Sequence, residues 1–164
     1  MPRLSRTDFV LQVSKQHINA LPSTDPNKAL LGVFMAFLVC ISFYSEMEIK
    51  VIEMVKRRLS AAGDAKVANL IANTQKRIFS RLKKADLAEC ASFFGDDVRN
   101  SFNAAADDRD VTFYANLIAQ RHVVAHSQEG ELLDWGTATL SLSDVEQGLA
   151  AAERLLTAFE ASIQ

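Results

Sequence analysis

Cysteine, histidine, proline and glycine are all scarce in this chain: two, three, three and six of them among 164 residues. The two cysteines, Cys40 and Cys90, stand far apart with no C-x-x-C pair. That excludes a disulfide framework and leaves each as a small hydrophobe in an apolar segment, as in a reducing, cytoplasmic setting. No cluster of histidine, cysteine and acid has metal-ligand spacing, no glycine-rich loop is built to cradle phosphate, and no serine, histidine and aspartate order reads as a triad. No metal or other cofactor is therefore expected. Charge of one sign is missing too: 18 basic residues face 20 acidic ones, which excludes a wholly basic nucleic-acid binder and makes any nucleic-acid site local.

The opening MPRLSRTDFVLQ has neither the apolar core nor the small-residue cleavage site of a signal peptide, so export is not expected. The uncharged apolar segment ALLGVFMAFLVCISFY at 29–44 is shorter than the ~18 to 20 residues of a membrane span. Its helical pattern continues into SEMEIKVIEMVKRR, which predicts a fully buried central helix and no membrane.

What the chain does have is helical periodicity. An amphipathic segment at 5–20 ends at LPSTDPN, and a long pattern then runs over 28–62, with Met47, Val51, Met54, Val55 and Leu59 at helical spacing, until AAGD stops it. Asp64 can cap a third helix with Val67, Leu70, Ile71, Ile78 and Leu82 on one side and a basic exterior. Residues 85–109 read as shorter helical pieces broken at FFGDD and DDRD, after which Asp108 or Asp110 can start another helix. TATLSL alternates as one short extended stretch, and SDVE reads as a capping box, Ser143 with Glu146, opening a last helix to about Ile163. The expected fold is all-α: one domain over residues 1–164, a bundle of five or six helices with the long second helix as its axis.

Against this background RHVVAH, at 121–126, holds two of the three histidines and an arginine. At about 100° per residue, Tyr114, Leu117, Ile118, Val124 and Ala125 gather on one side with Arg121 near the centre of the arc. A guanidinium cannot shed its charge, so on a buried face it needs an acid, a hydrogen-bonding network or an anionic ligand. Glu46 or Glu48 of the long helix would be the structural partner. His126 lies about 140° further round, near a polar stretch that reaches Gly130. At a helix carboxyl end it would titrate near neutral pH, as proton transfer requires.

This R-polar-x-x-A-H segment lies late in the penultimate long helix of a small helical domain, with an amphipathic helix after it. It resembles the HEPN superfamily, and the layout over nearly the whole chain looks most like its RiboL-PSP-HEPN branch. The resemblance implies a metal-independent endoribonuclease of a defence or toxin-like system, with arginine and histidine acting across a two-fold dimer interface. It carries over to Arg121 and His126 as catalytic residues, to His122 as a site-shaping or phosphate-contacting group, and to Ser127, where many relatives have glycine. The arc around Arg121 would then be an interface seam. Implied partners are RNA, a second copy of the chain and an antitoxin or defence-system protein.

The basic run KRIFSRLKK supplies Lys76, Arg77, Arg81, Lys83 and Lys84 as candidates for an RNA backbone, against the simpler view of a solvated helix face. Glu46 and Glu48 are expected as orienting carboxylates, His17 as an ordinary surface or core-edge histidine and Trp135 as a packing residue. Two rivals stay open: a catalytically silent HEPN module that dimerises and binds RNA, a nucleotide or a protein, and a structural bundle with a buried Arg-Glu pair.

Overall fold

A computed structural model describes residues 3–61, 63, 82–126 and 140–164, with side chains described as far as Gln120 in the third stretch. Among the described residues there are six helices and no strand: α1 (Ser5–Ala20), α2 (Lys28–Ala61), α3 (Lys84–Ser92), α4 (Asp96–Ala105), α5 (Asp108–His126) and α6 (Leu142–Ile163). The first two match the sequence expectation almost to the residue. The helix expected from Asp64 lies outside the described residues up to Leu82, which is buried.

Punctuation between helices follows the sequence. Gly95, at φ 134°, makes the break in FFGDD in a conformation that side chains other than hydrogen rarely adopt. The last helix begins two residues earlier than SDVE indicates: Ser141 is the cap, its Oγ accepting from the Asp144 amide at 3.1 Å while Asp144 accepts from the Ser141 amide at 2.9 Å. Leu140 and Val145, both buried, stand at the positions a hydrophobic staple occupies around a cap at Ser141. Leu142 is accordingly helical, not part of an extended stretch, and Glu146 is left to pair with Lys15 at 2.9 Å.

The helix directions follow from a few polar contacts. Arg6 and Thr7 of α1 meet Glu46 of α2, and Leu4 and Lys15 meet Glu153 and Glu146 of α6, so α1 is antiparallel to both. Asp110 pairs with Arg154 and Leu117 lies at Gly148, so α5 is antiparallel to α6 and therefore to α2. Between them sits a core built on Phe43, Met47, Phe102, Tyr114, Leu155, Leu156 and Phe159, with edge-to-face rings at Phe43–Tyr114 and Phe102–Phe159. Cys40 and Cys90 are free and buried in it, and burial pushes both thiols up to about 12.

The second helix is not fully buried as its composition implies. Met47, Val51, Met54 and Val55 are inside, but Leu30, Phe34, Leu38 and Ile41 are about half exposed. Helix α2 is long and apolar enough to cross a membrane by length and composition alone, and 44% of its most apolar window is buried inside the bundle.

Helix α1 has no side-chain cap of its own at Leu4; Glu46, buried on α2, supplies one. Its carboxylate accepts from the Arg6 amide at 3.1 Å, the Thr7 amide at 2.7 Å and the Thr7 hydroxyl at 2.8 Å. Removing it strands helix-end N–H groups away from water. Glu46→Ala is expected to lower the unfolding free energy by about 2 to 3 kcal/mol in a urea titration, well beyond what an exposed glutamate would cost.

Candidate functional site

The segment RHVVAH is carried by α5, and α5 is held along most of its length. At its start the Asp107 carboxylate accepts from the amides of Arg109 at 2.9 Å and Asp110 at 3.2 Å, so Asp107 is the cap and the helix begins at Asp108, one of the two starts expected. One turn in, Asp110 receives two bonds from Arg154, at 2.7 and 2.6 Å, and this donated fork is the first reason its carboxyl is held below the usual range. In the middle, the Tyr114 hydroxyl donates to the Leu82 carbonyl and its ring meets Phe43. Leu117 then packs on Gly148, where the missing side chain lets α5 and α6 approach closely.

Asp110, Tyr114, Leu117 and Ile118 are the buried row of this helix. Arg121 follows Tyr114 by seven residues, about 20° short of two full turns, so the backbone carries it in register with that row. His122 and His126 lie on the same helix, His126 about 140° round from Arg121. The side chains of these three, and Ser127 altogether, lie outside the described residues. Through Ile118 the arc expected as an interface seam is occupied inside the protomer, by α2 and α6.

Neither acidic partner expected for Arg121 stands at its level. The Phe43–Tyr114 contact sets the register of α5 on α2. Arg121 is seven residues past Tyr114 toward the start of α2, and Glu46 is three residues past Phe43 toward its end, so about 15 Å of helix axis separates them. Glu46 is committed to α1. Glu48, half buried, stands about 140° round α2 from Phe43. Position along the chain could not show this, because it depends on which way α5 runs.

Of the basic candidates, Lys76, Arg77 and Arg81 lie outside the described residues. Lys83 is exposed at the start of α3, and Lys84 donates to Asn103 at 2.6 Å, tying α3 to α4. His17 is exposed in the last turn of α1. Among the described residues no group of three or more His, Cys, Asp or Glu could hold a metal.

Two open clefts that sequence reasoning missed lie along the α5–α6 crossing and share Phe113. One, of about 670 Å³, is bordered by Asp107, Arg109, Asp110 and Arg154, with the Arg109 guanidinium 5.6 Å from the centre of the Phe113 ring. The other, of about 470 Å³, is bordered by Asn116, Gln120, Leu140 and Asp144 and ends beside the residue that precedes Arg121. A glycine in the middle of an amphipathic helix, as at Gly148, is the one sequence signal of this close crossing. The Asp110–Arg154 pair has none. Comparison of the chain with protein-family models, with curated proteins and with solved structures finds no match in any of the three.

Two tests follow from how α5 is seated. A Cβ at position 148 would stand 2.3 Å from the Leu117 Cδ1 atom and 3.3 Å from the Phe113 carbonyl oxygen. Gly148→Ala should therefore destabilise by about 1 to 3 kcal/mol in chemical denaturation, and by less in a Leu117→Ala background, where the methyl group in the way is gone. Asp110, held down first by Arg154, and Glu160, held down first by its bond from Arg3, both have folded-state pKa values below their unfolded ones. Their contribution is complete above the ordinary carboxylate range and is lost as the pH falls through the depressed values. The melting temperature should drop below about pH 4, less steeply in Asp110→Asn.

Proposed function

We propose that this chain is a HEPN-type, metal-independent endoribonuclease acting in the cytoplasm as part of a defence or toxin-like system, with Arg121 and His126 as its catalytic pair. The observation that carries this is positional. One helix, anchored at Asp110, Tyr114 and Leu117, brings both residues to its last described turns, just beyond a polar cleft bordered by Asn116 and Gln120. Amide side chains of this kind pair with base edges, and the ring of Phe113 in the same groove offers a surface for stacking a base.

In this mechanism the guanidinium of Arg121 holds two non-bridging oxygens of the scissile phosphate and stabilises the charge that builds on them in the pentacovalent transition state. The ribose 2'-oxygen attacks phosphorus and loses its proton, and the bond to the 5'-oxygen breaks as that oxygen gains one. The imidazole of His126 takes the first proton or delivers the second, and solvent water exchanges the other. The products are a 2',3'-cyclic phosphate and a 5'-hydroxyl, with no metal-bound water consumed.

Cleavage of single-stranded RNA by the purified protein should persist in EDTA. His126→Ala should abolish it with the melting temperature and RNA binding nearly unchanged, and Arg121→Lys should fail almost as badly as Arg121→Ala, because lysine keeps the charge but loses the planar fork. Unimpaired cleavage by His126→Ala overturns the catalytic assignment. RNA binding without any cleavage by the unaltered protein identifies the silent module instead. Loss of stability in both arginine variants, with a silent histidine change, identifies a structural arginine.

A further inference from the structure

Three polar side chains along the α5–α6 groove are left over by the fold. Asn116 and Gln120 stand one turn apart on α5, and neither amide bonds to another described residue. Asp144 borders the same cleft of about 470 Å³ from α6. The capping box engages one of its carboxylate oxygens: Oδ2 accepts from the Ser141 amide at 2.9 Å and the Ser141 hydroxyl at 2.6 Å, while Oδ1 accepts nothing among the described residues. These bonds, the hydroxyl's first, hold the carboxyl below its usual range, so at neutral pH Oδ1 is purely an acceptor. Phe113 is the wall shared with the neighbouring cleft, where the Arg109 guanidinium lies 5.6 Å from the ring centre and forms no salt bridge among the described residues. The cleft also lies at the level of the candidate pair. Leu117 packs at Gly148 and the two helices are antiparallel, so one turn onward from Leu117, at Arg121, is level with one turn back from Gly148, at Asp144.

We infer that this cleft is a base-specificity subsite, taking an unpaired guanine of RNA beside the phosphate that Arg121 holds. The inference rests on the endoribonuclease reading for its RNA, and on Asp144, Asn116 and Gln120 for its base. The choice of base follows from where hydrogen-bond donors lie. Guanine alone among the four bases presents two adjacent donors on its Watson–Crick edge, N1–H and the N2 amino group, with the O6 acceptor next to them. A carboxylate oxygen suits the two donors, and the amino group of an Asn or Gln amide suits O6. Adenine and cytosine place a ring-nitrogen acceptor beside their single amino group, and uracil flanks its one N–H with two carbonyls. Each of these would set an acceptor against the carboxylate.

The rest of the groove serves the strand without choosing its sequence. Stacking on the Phe113 ring adds affinity for any base, because every base has an aromatic face. Beyond that ring, Arg109 is placed for a neighbouring phosphate, a contact that positions the strand but does not read it. A volume of about 470 Å³ lies within the ~300 to 1,000 Å³ of small-ligand clefts, room enough for one base. Selectivity then falls to Asp144, the one acid at this cleft, with Asn116 and Gln120 completing the edge.

Fluorescence anisotropy tests it on short uridine strands with G, A, C or U at one central position. Fluorine in place of every 2'-hydroxyl keeps the strands from being cut, because the proposed attack needs that hydroxyl. The unaltered protein should bind the guanine strand at least about tenfold tighter than the other three. Asp144→Asn should shrink that preference to within about twofold, and Asn116→Ala should weaken guanine binding about threefold or more with helical circular dichroism unchanged, since this side chain holds nothing in the fold. Glu146→Gln makes the same charge change on a residue that borders neither cleft, and should leave the preference as it is. Equal affinity for the four strands overturns the inference, as does a preference that survives both Asp144→Asn and Asn116→Ala. Guanosine 5'-monophosphate competing as tightly as the guanine strand also overturns it, because the ligand would then be a free nucleotide. A guanine preference without cleavage of ordinary RNA upholds the subsite and sinks the catalytic assignment, and cleavage without the preference does the reverse.

Discussion

The buried carboxylate of Glu46 is the contact on which the arrangement of the first two helices depends. A helix whose first amides lack a cap needs an acceptor, and here the acceptor comes from the facing helix 39 and 40 residues further along the chain. The negative charge sits at the positive end of the α1 dipole, and three donors surround it, so a carboxylate that would be costly to bury alone becomes a fixed point between two helices. A second glutamate, Glu153 of α6, takes the Leu4 amide at 3.1 Å, and Glu160 gathers Arg3 and Arg57. The N-terminal end of α1 is thereby held by acids from both neighbours, and the register of α1 on α2 follows.

That register decides which apolar residues are core and which are surface. With Thr7 and Leu11 turned inward, Phe9 and Val13 are left outside, beside the half of α2 that the bundle does not cover. On the other side of α2, Phe43 meets Tyr114 and fixes the level of α5. The apolar face and the helix that bears Arg121 and His126 are thus kept apart by the thickness of one helix.

Helix α5 shows how a candidate segment is seated by contacts that precede it on the same helix. Its cap, its Arg154 fork, its Tyr114 hydroxyl bond and its contact at Gly148 all lie N-terminal to Arg121. The cap is local, the Arg154 and Gly148 contacts are both to α6, and the Tyr114 bond is to the Leu82 carbonyl. Together they determine the direction in which the helix continues, and with it the placing of the row on which Arg121 falls.

Much of the helical layout was legible because it rests on local rules. The spacing of Met47, Val51, Met54 and Val55 gave the inner face of α2, Gly95 marked a break, and the prolines of LPSTDPN separated α1 from α2. Where two local signals competed, Ser141 took the last cap, with Leu140 before it and Val145 in the first turn both buried. The candidate pair, Arg121 and His126, was legible as a spacing on a helix, since helical geometry is set within the chain. Its surroundings were not. Glu46 and Glu48 look equally available to Arg121 in one dimension, and only the antiparallel packing of α5 on α2 sets both at a different level of the helix axis, while Asn116, Gln120 and Asp144 gather from two helices at the cleft that ends at Gln120. Composition likewise made α2 apolar all round. Which part of that surface was left outside depended on how many helices surround it, a property of the packed bundle rather than of any one segment.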